Sequence, residues 1–337
     1  MMEVATLSSK GHPTMISIDL VSLMTLIYVL VDDWYQTKGY MLLKGKAGMK
    51  PEFSESEMLT LMLMQDFIPY PGETQYSAYI RANHIREFPK VVDQSQYNRR
   101  ARNLGWLLET LRQDWLKQLG ASAERQLLLE TKPVPVVGCT RSKRHSFFLG
   151  RAAYGYCAAR RMHYFGYKLV SLTTLDGLPL VYDLVPANLD EREAAEAILY
   201  RVHDCAIFAD KGFLGDDWQA DVRLVSNNRI WTSKRSNQAE QNPPAFDSLL
   251  KHLREPIEAT FHQLQNTGRH LEHLLAKTLS GLCTRIIAKI SSLVLRRLLQ
   301  RDFGIDIQSF AAAAGRASVA VARAARCRGR GLAAGGR

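Results

Sequence analysis

The sequence predicts a mixed α/β core preceded by an all-helical leader. Three observations predict it. From Ile16 to Leu119 the apolar positions recur at helical spacing with few strand-like runs; after Arg125 short apolar and β-branched runs appear; and those runs are separated by one helical segment before the helical pattern returns near Ser248. Strands separated by a helix favour a partly parallel sheet.

In the leader, Leu20 to Val31 is apolar but flanked by Asp19, Asp32 and Asp33. It falls short of the ~20 residues of a membrane span and lacks a basic approach or a cleavage site, so a core-facing helix is expected. Ser54 with Glu57 has the form of a capping box opening the helix of Met58, Leu61 and Met62. Pro69 to Gly72 breaks the pattern, and further helices are expected from Tyr76 and from Ser95.

Gln126 to Val136 reads as a buried strand, and Phe165 to Val185 as two strands joined at the turn pair Asp176-Gly177. Asn188 with Glu191 resembles a helix start, and that helix is expected to run to about Val202. Cys205 to Asp210 is another short apolar run, and from Ser248 helix is expected through Leu264, Leu274 and Ile287 to Leu299. The predicted units are residues 1–120, helical; 121–308, the mixed α/β core; and 309–337, a disordered or adventitious tail of almost only Ala, Gly and Arg.

The 337 residues carry a net charge of +11, about +5 of it outside the six tail arginines, which directs the molecule toward a polyanion. Five scattered cysteines without a CxxC pair argue against a disulfide framework or a zinc site, and fit a reducing cytoplasm.

Two strand readings run into an acid: Leu127-Leu128-Leu129 into Glu130, and Ala206-Ile207-Phe208-Ala209 into Asp210. Carboxyl ends of parallel strands are where ligands gather, and two neighbouring carboxylates repel unless a cation lies between them. Glu258 is the candidate third acid, on a helix with the apolar face Leu253, Ile257, Phe261 and Leu264. Oxygen ligands without a His or Cys cluster suit Mg2+ or Mn2+, and a two-metal site handles both the attacking and the leaving oxygen of a phosphodiester. Taken singly, each acid also reads as an ordinary turn or helix residue, and Glu258 can instead pair with Arg254 one helical turn back.

Between Thr131 and Leu175 there is no Asp or Glu, while eight Lys and Arg side chains interleave with Phe147, Phe148, Tyr154, Tyr156, Tyr164, Phe165 and Tyr167. Cations neutralise phosphates and aromatic rings stack on unpaired bases. Phe165 and Tyr167, at the start of the hairpin, read as strand core; Arg141, Lys143, Arg144 and Arg151, in an expected loop, read as DNA contacts. Arg99, Arg100 and Arg102 either follow a DNA backbone or belong to an ordinary amphipathic helix packed through Leu104, Leu107 and Leu108.

Several segments, in this order, resemble the DDE transposases of bacterial insertion sequences, in the branch related to insertion sequence four. They are Glu130 to Val136, Tyr154 to Cys157, Tyr167 to Leu169, Leu175-Asp176-Gly177, Pro186-Ala187-Asn188, Asp210-Lys211-Gly212-Phe213, and Arg254 with Ile257 to Phe261. The likeness spans residues 15 to 308 approximately.

It implies a ribonuclease-H-like fold, three metal-binding carboxylates (Glu130, Asp210, Glu258), and DNA strand cleavage followed by transfer. Residues 1–120 then read as the helical domain that binds DNA ends and 121–308 as the ribonuclease-H-like catalytic domain; Lys211 and Arg254 join the DNA contacts, and a homodimer on paired ends is compatible with the role. Family members place Asp where this chain has Glu130, often Tyr at Lys251 and Lys at Gln265. The alternatives are a DNA-binding remnant that does not cut and a metal-dependent nuclease of the same fold.

Overall fold

A computed structural model describes residues 18–44, 51–68, 70, 72–142, 147–157, 161–236, 238, 241–266 and 270–305. The tail at 309–337, Lys143, Arg144 and the side chain of Arg141 lie outside the described residues.

The leader is helical. α1 (Leu20–Trp34) starts at Asp19, whose carboxylate accepts from the amides of Val21 and Ser22, and it buries Leu23, Met24, Ile27 and Val31 at helical spacing. α2 (Glu55–Met64) opens with the expected capping box, Ser54 and Glu57 each holding the other's amide. It is buried almost all round, as a central helix must be. α3 (Glu73–Asn83) follows, then α4 (Gln94–Gln118), which packs Leu104, Leu107, Leu108 and Leu111 inward.

The sheet consists of β1 (Gln126–Val137), β2 (Ala153–Cys157), β3 (Met162–Thr174), β4 (Pro179–Pro186), β5 (Ala206–Ala209) and β6 (Arg229–Thr232). β1 lies at its centre. On one side it pairs antiparallel with β3, whose far edge is shared by β2 and β4; on the other it pairs parallel with β5, and β5 with β6. The crossover from β4 to β5 carries α5 (Glu191–Leu199), and that from β5 to β6 carries α6 (Asp216–Ser226). This succession, antiparallel strands followed by parallel ones around a central first strand, is the expected ribonuclease-H-like mixed sheet.

Geometry requires glycine at Gly177 and at Gly166, among other positions. Gly177 closes the β3–β4 turn at φ +85, and its carbonyl accepts from Thr260 of α7 (Pro244–Asn266) at 2.8 Å. Gly166 faces the bulge in β1, where an added Cβ would collide with the Val134 carbonyl.

Several sequence expectations need correction. The cap of α5 is Asp190, which accepts from the Arg192 amide, and the helix ends at Leu199; Asp190 therefore takes the role assigned to Asn188. The helix expected from Ser248 to Leu299 is two: α7, and α8 (Leu279–Phe303) capped by Thr278. Part of the expected 141–151 loop is a helical turn, Cys139–Ser142. β2, α6 and β6 were not anticipated, being short or mostly polar.

The leader shares its core with the sheet side. One cluster joins Leu23, Met58, Leu107 and Leu111 to Leu127, Val170, Ile207 and Leu298. Buried charges reinforce the union: Lys289 Nζ lies 2.9 Å from Asp66 Oδ1, Arg296 reaches Asp66 Oδ2 at 3.3 Å, and Arg285 reaches Glu73 at 2.8 Å, all from α8 to the leader. Arg112 of α4, fully buried, donates to the carbonyls of Pro179 and Leu180 in β4.

Candidate active site

β1 and β5 run parallel, with Leu129 opposite Ala209. The next residue on each strand is the acid, so Glu130 and Asp210 emerge side by side where β5 stops and β1 continues toward β3. Alternation along β1 directs Glu130 to the same face as Leu128 and Val134, which pack under Ile257 and Phe261 of α7. Asp210 turns the chain: its carboxylate accepts from the Lys211 amide at 2.7 Å.

A positive charge stands between the two acids. Arg254 of α7 donates to Glu130 Oε2 at 3.1 Å and to Asp210 Oδ1 at 3.3 Å. Lys132, two residues along β1, lies 3.9 Å from the other Glu130 oxygen and sits over the Phe261 ring. The Glu130 side chain is only 12% exposed and Asp210 50%. Burial pushes the Glu130 carboxyl above the usual range, against the pull of Lys132 and Arg254. Burial alone would lower the Arg254 guanidinium, but Asp210 and Glu130 outweigh it and raise it.

Glu258 is placed differently. It is exposed on α7, one turn beyond Arg254, and adds to the field that holds that guanidinium charged. Pro256, between them, removes one helical hydrogen bond. Among the described residues no group of three or more His, Cys, Asp or Glu side chains is arranged to hold a metal. The donor chemistry of Glu130 and Asp210 does fit a hard divalent cation, since two carboxylates converge on one positive charge.

The remaining candidates separate cleanly. Arg99, Arg102, Arg151 and Lys211 are exposed, whereas Arg100 is half-buried, 3.6 Å from Glu55 and over the Phe53 ring. Phe148, Tyr164, Phe165 and Tyr167 are core, while Phe147, Tyr154 and Tyr156 are exposed. One neighbour escaped the sequence reading: Glu191, first residue of α5, accepts from Thr131 at 3.0 Å and lies against Gly212. Only its place three residues after Asn188 marked it, and that suggested a cap. Among the described residues, no helix is long and apolar enough to cross a membrane.

A mixed sheet with two acids at adjacent parallel strand ends is the arrangement expected from the sequence. Residues 131–295 match the family described as Transposase DDE domain. That stretch, just under half of the chain, is thereby similar to the DDE transposases, a family of polynucleotidyl transferases and endonucleases that use divalent metal. The matched stretch begins one residue after Glu130 and contains Asp210 and Glu258. A solved structure, the Mos1 transposase paired-end complex with left transposon end, aligns over 73% of this chain and 98% of that one at 12% identity and a TM-score of 0.19. No curated protein matches the chain.

Proposed function

We propose that the chain binds the ends of an insertion sequence and catalyses cleavage and transfer of DNA strands, with Glu130, Asp210 and Glu258 as its carboxylates. The observation that supports this most is the in-register pair Leu129 and Ala209, beyond which Glu130 and Asp210 both bond to the Arg254 guanidinium.

Mg2+ or Mn2+ held there would polarise the scissile phosphate and acidify the attacking hydroxyl. The chain's own residues prepare that position. Glu130 is held on a rigid central strand, Asp210 is fixed by its bond to the Lys211 amide, and Arg254 neutralises both. A guanidinium matches a phosphate in two-point fashion, so a DNA phosphate can take Arg254 over and leave the carboxylates to metal. Glu258, on the same helix face one turn on, joins as α7 adjusts. Arg99, Arg102, Arg151 and Lys211 supply exposed charge for the DNA backbone; Arg141, Lys143 and Arg144 add to the positive charge of the 131–175 stretch of the sequence, and residues 1–120 contribute to end binding.

Incubating the protein with a duplex bearing the element's terminal repeat and Mg2+ tests this. Specific 3′-hydroxyl ends and joined products are expected, and nicks without joining would point to a nuclease. A second reading, binding without cutting, is favoured by Arg254 standing between the acids and by Glu in place of Asp; end-specific binding with no product would select it.

A further inference from the structure

Resting on the reading of the chain as an enzyme of DNA ends, we propose that Tyr156 and His163 form a stacking platform for the unpaired bases of a single-stranded DNA extension.

Tyr156 of β2 stands directly opposite His163 of β3. Directly opposed residues of an antiparallel pair share a face, and here the ring centroids are 4.9 Å apart at 50°. Neither ring is core: Tyr156 is 53% exposed, and His163 is exposed as well. By contrast, neighbouring Tyr154 packs on Phe165 and its hydroxyl bonds to Ser142, so it is engaged by the protein itself.

Beside the pair opens a groove of about 440 Å³ lined by Val137, Cys139, His163, His273, Leu274 and Leu275. Its volume is in the range of small-molecule sites, and its walls are apolar with a few ring nitrogens, the chemistry that receives a base. The acid on its rim, Glu272, is bonded by Gln265. Charge complementarity selects nucleic acid as occupant: the segment from Thr131 to Leu175 has no acid at all, and Arg151 and Arg161 are exposed near this end of the sheet.

The platform lies on the same face as Glu130. Ser171 is opposite Glu130 in the register, and His163 is eight residues back along β3, a span of roughly 26 Å at about 3.3 Å per residue. Phe165, Tyr167 and Leu169 between them are buried, so a strand leaving the carboxylates would pass over the helices that cover this face and reach the rings only after several nucleotides. The site is therefore for an extension of the DNA, not for the nucleotide undergoing reaction.

The test is equilibrium binding of the full chain, without divalent metal, to a blunt duplex and to the same duplex with a single-stranded extension carrying 2-aminopurine. Wild type should bind the extended duplex more tightly and quench the 2-aminopurine. Tyr156→Val, which keeps a strand-favouring side chain but no ring, should weaken binding of the extended duplex by about 5- to 150-fold, the measured range for one stacked base. It should leave the blunt duplex unchanged, and Tyr156→Phe should behave as wild type.

Equal loss on both duplexes, no loss on either, or unquenched 2-aminopurine with wild type would overturn the platform while leaving the transposase reading standing. Failure of wild type to bind either DNA would overturn both.

Discussion

Leu129 and Ala209 face each other across the parallel pairing of β1 and β5. Because the register is in step, the residue after each is carried to the same edge, and Arg254 bridges the resulting pair of acids at 3.1 and 3.3 Å. Five expectations follow from this arrangement and from the core that supports it.

Asp210→Asn should eliminate DNA cleavage and leave the fold intact. Its side chain is half-exposed and accepts from the Lys211 amide and from Arg254, bonds that an Asn oxygen can also accept. Cleavage assays beside thermal melts check this; undiminished cleavage would remove Asp210 from the site.

Glu130→Asp should raise cleavage. The family resemblance implies Asp here, and the extra methylene displaces the carboxylate by about 1.5 Å, one carbon–carbon bond. An offset of that size costs on the order of 100-fold in rate, so a gain of about 10- to 100-fold is expected in single-turnover assays. A further loss would mean that the site is built around Glu.

Replacing Arg254 by Gln should tighten Mn2+ binding to the DNA-free protein by about fivefold, the equivalent of roughly 1 kcal/mol for a partly exposed pair. The guanidinium occupies the position between the carboxylates that the cation needs. Titration followed by electron paramagnetic resonance reports it, and unchanged affinity would show that the cation binds elsewhere.

Asp66→Asn should destabilise the protein by about 3–5 kcal/mol, because it leaves Lys289 and Arg296 buried without their counter-charge. Urea denaturation measures the loss. Since those cations belong to α8 and the acid to the leader, a fragment lacking residues 1–120 is expected not to fold; a folded fragment would show that the shared core is dispensable.

His84 should make stability fall in mild acid. Burial lowers its pKa, only partly opposed by Glu87, and Tyr79 is its other polar neighbour. The folded protein keeps the ring neutral while the unfolded chain takes up a proton near the ordinary value of about 6.5. The contribution is therefore complete above that value and is lost as pH falls toward the depressed folded value. His84→Gln should flatten the melting temperature between pH 7 and 5, and an unaltered slope would assign the acid sensitivity to another group.

Much of the fold was legible because its signals are local. The Ser54 and Glu57 box, the Asp176-Gly177 turn and the apolar period of α4 each depend on residues a few positions apart. β2, α6 and β6 were missed because they are short and mostly polar outside, held by neighbours rather than by their own pattern. The break between α7 and α8 was missed since apolar spacing continues through Leu271 and Leu274, which pack as core without being α-helical. Asp190, two residues from Asn188, won the cap because its carboxylate meets the Arg192 amide.

The sequence by itself determined the order of helices and strands, the excess of cations over 131–175, and which acids follow apolar strands, since periodicity and charge are carried by neighbouring residues. Tertiary structure alone decided that Glu130 meets Asp210, that Arg254 stands between them, and that Arg100 pairs with Glu55 inside the leader. Those partners are separated by 44 to 124 positions along the chain or belong to different helices. Only strand register and helix packing bring them within hydrogen-bonding distance.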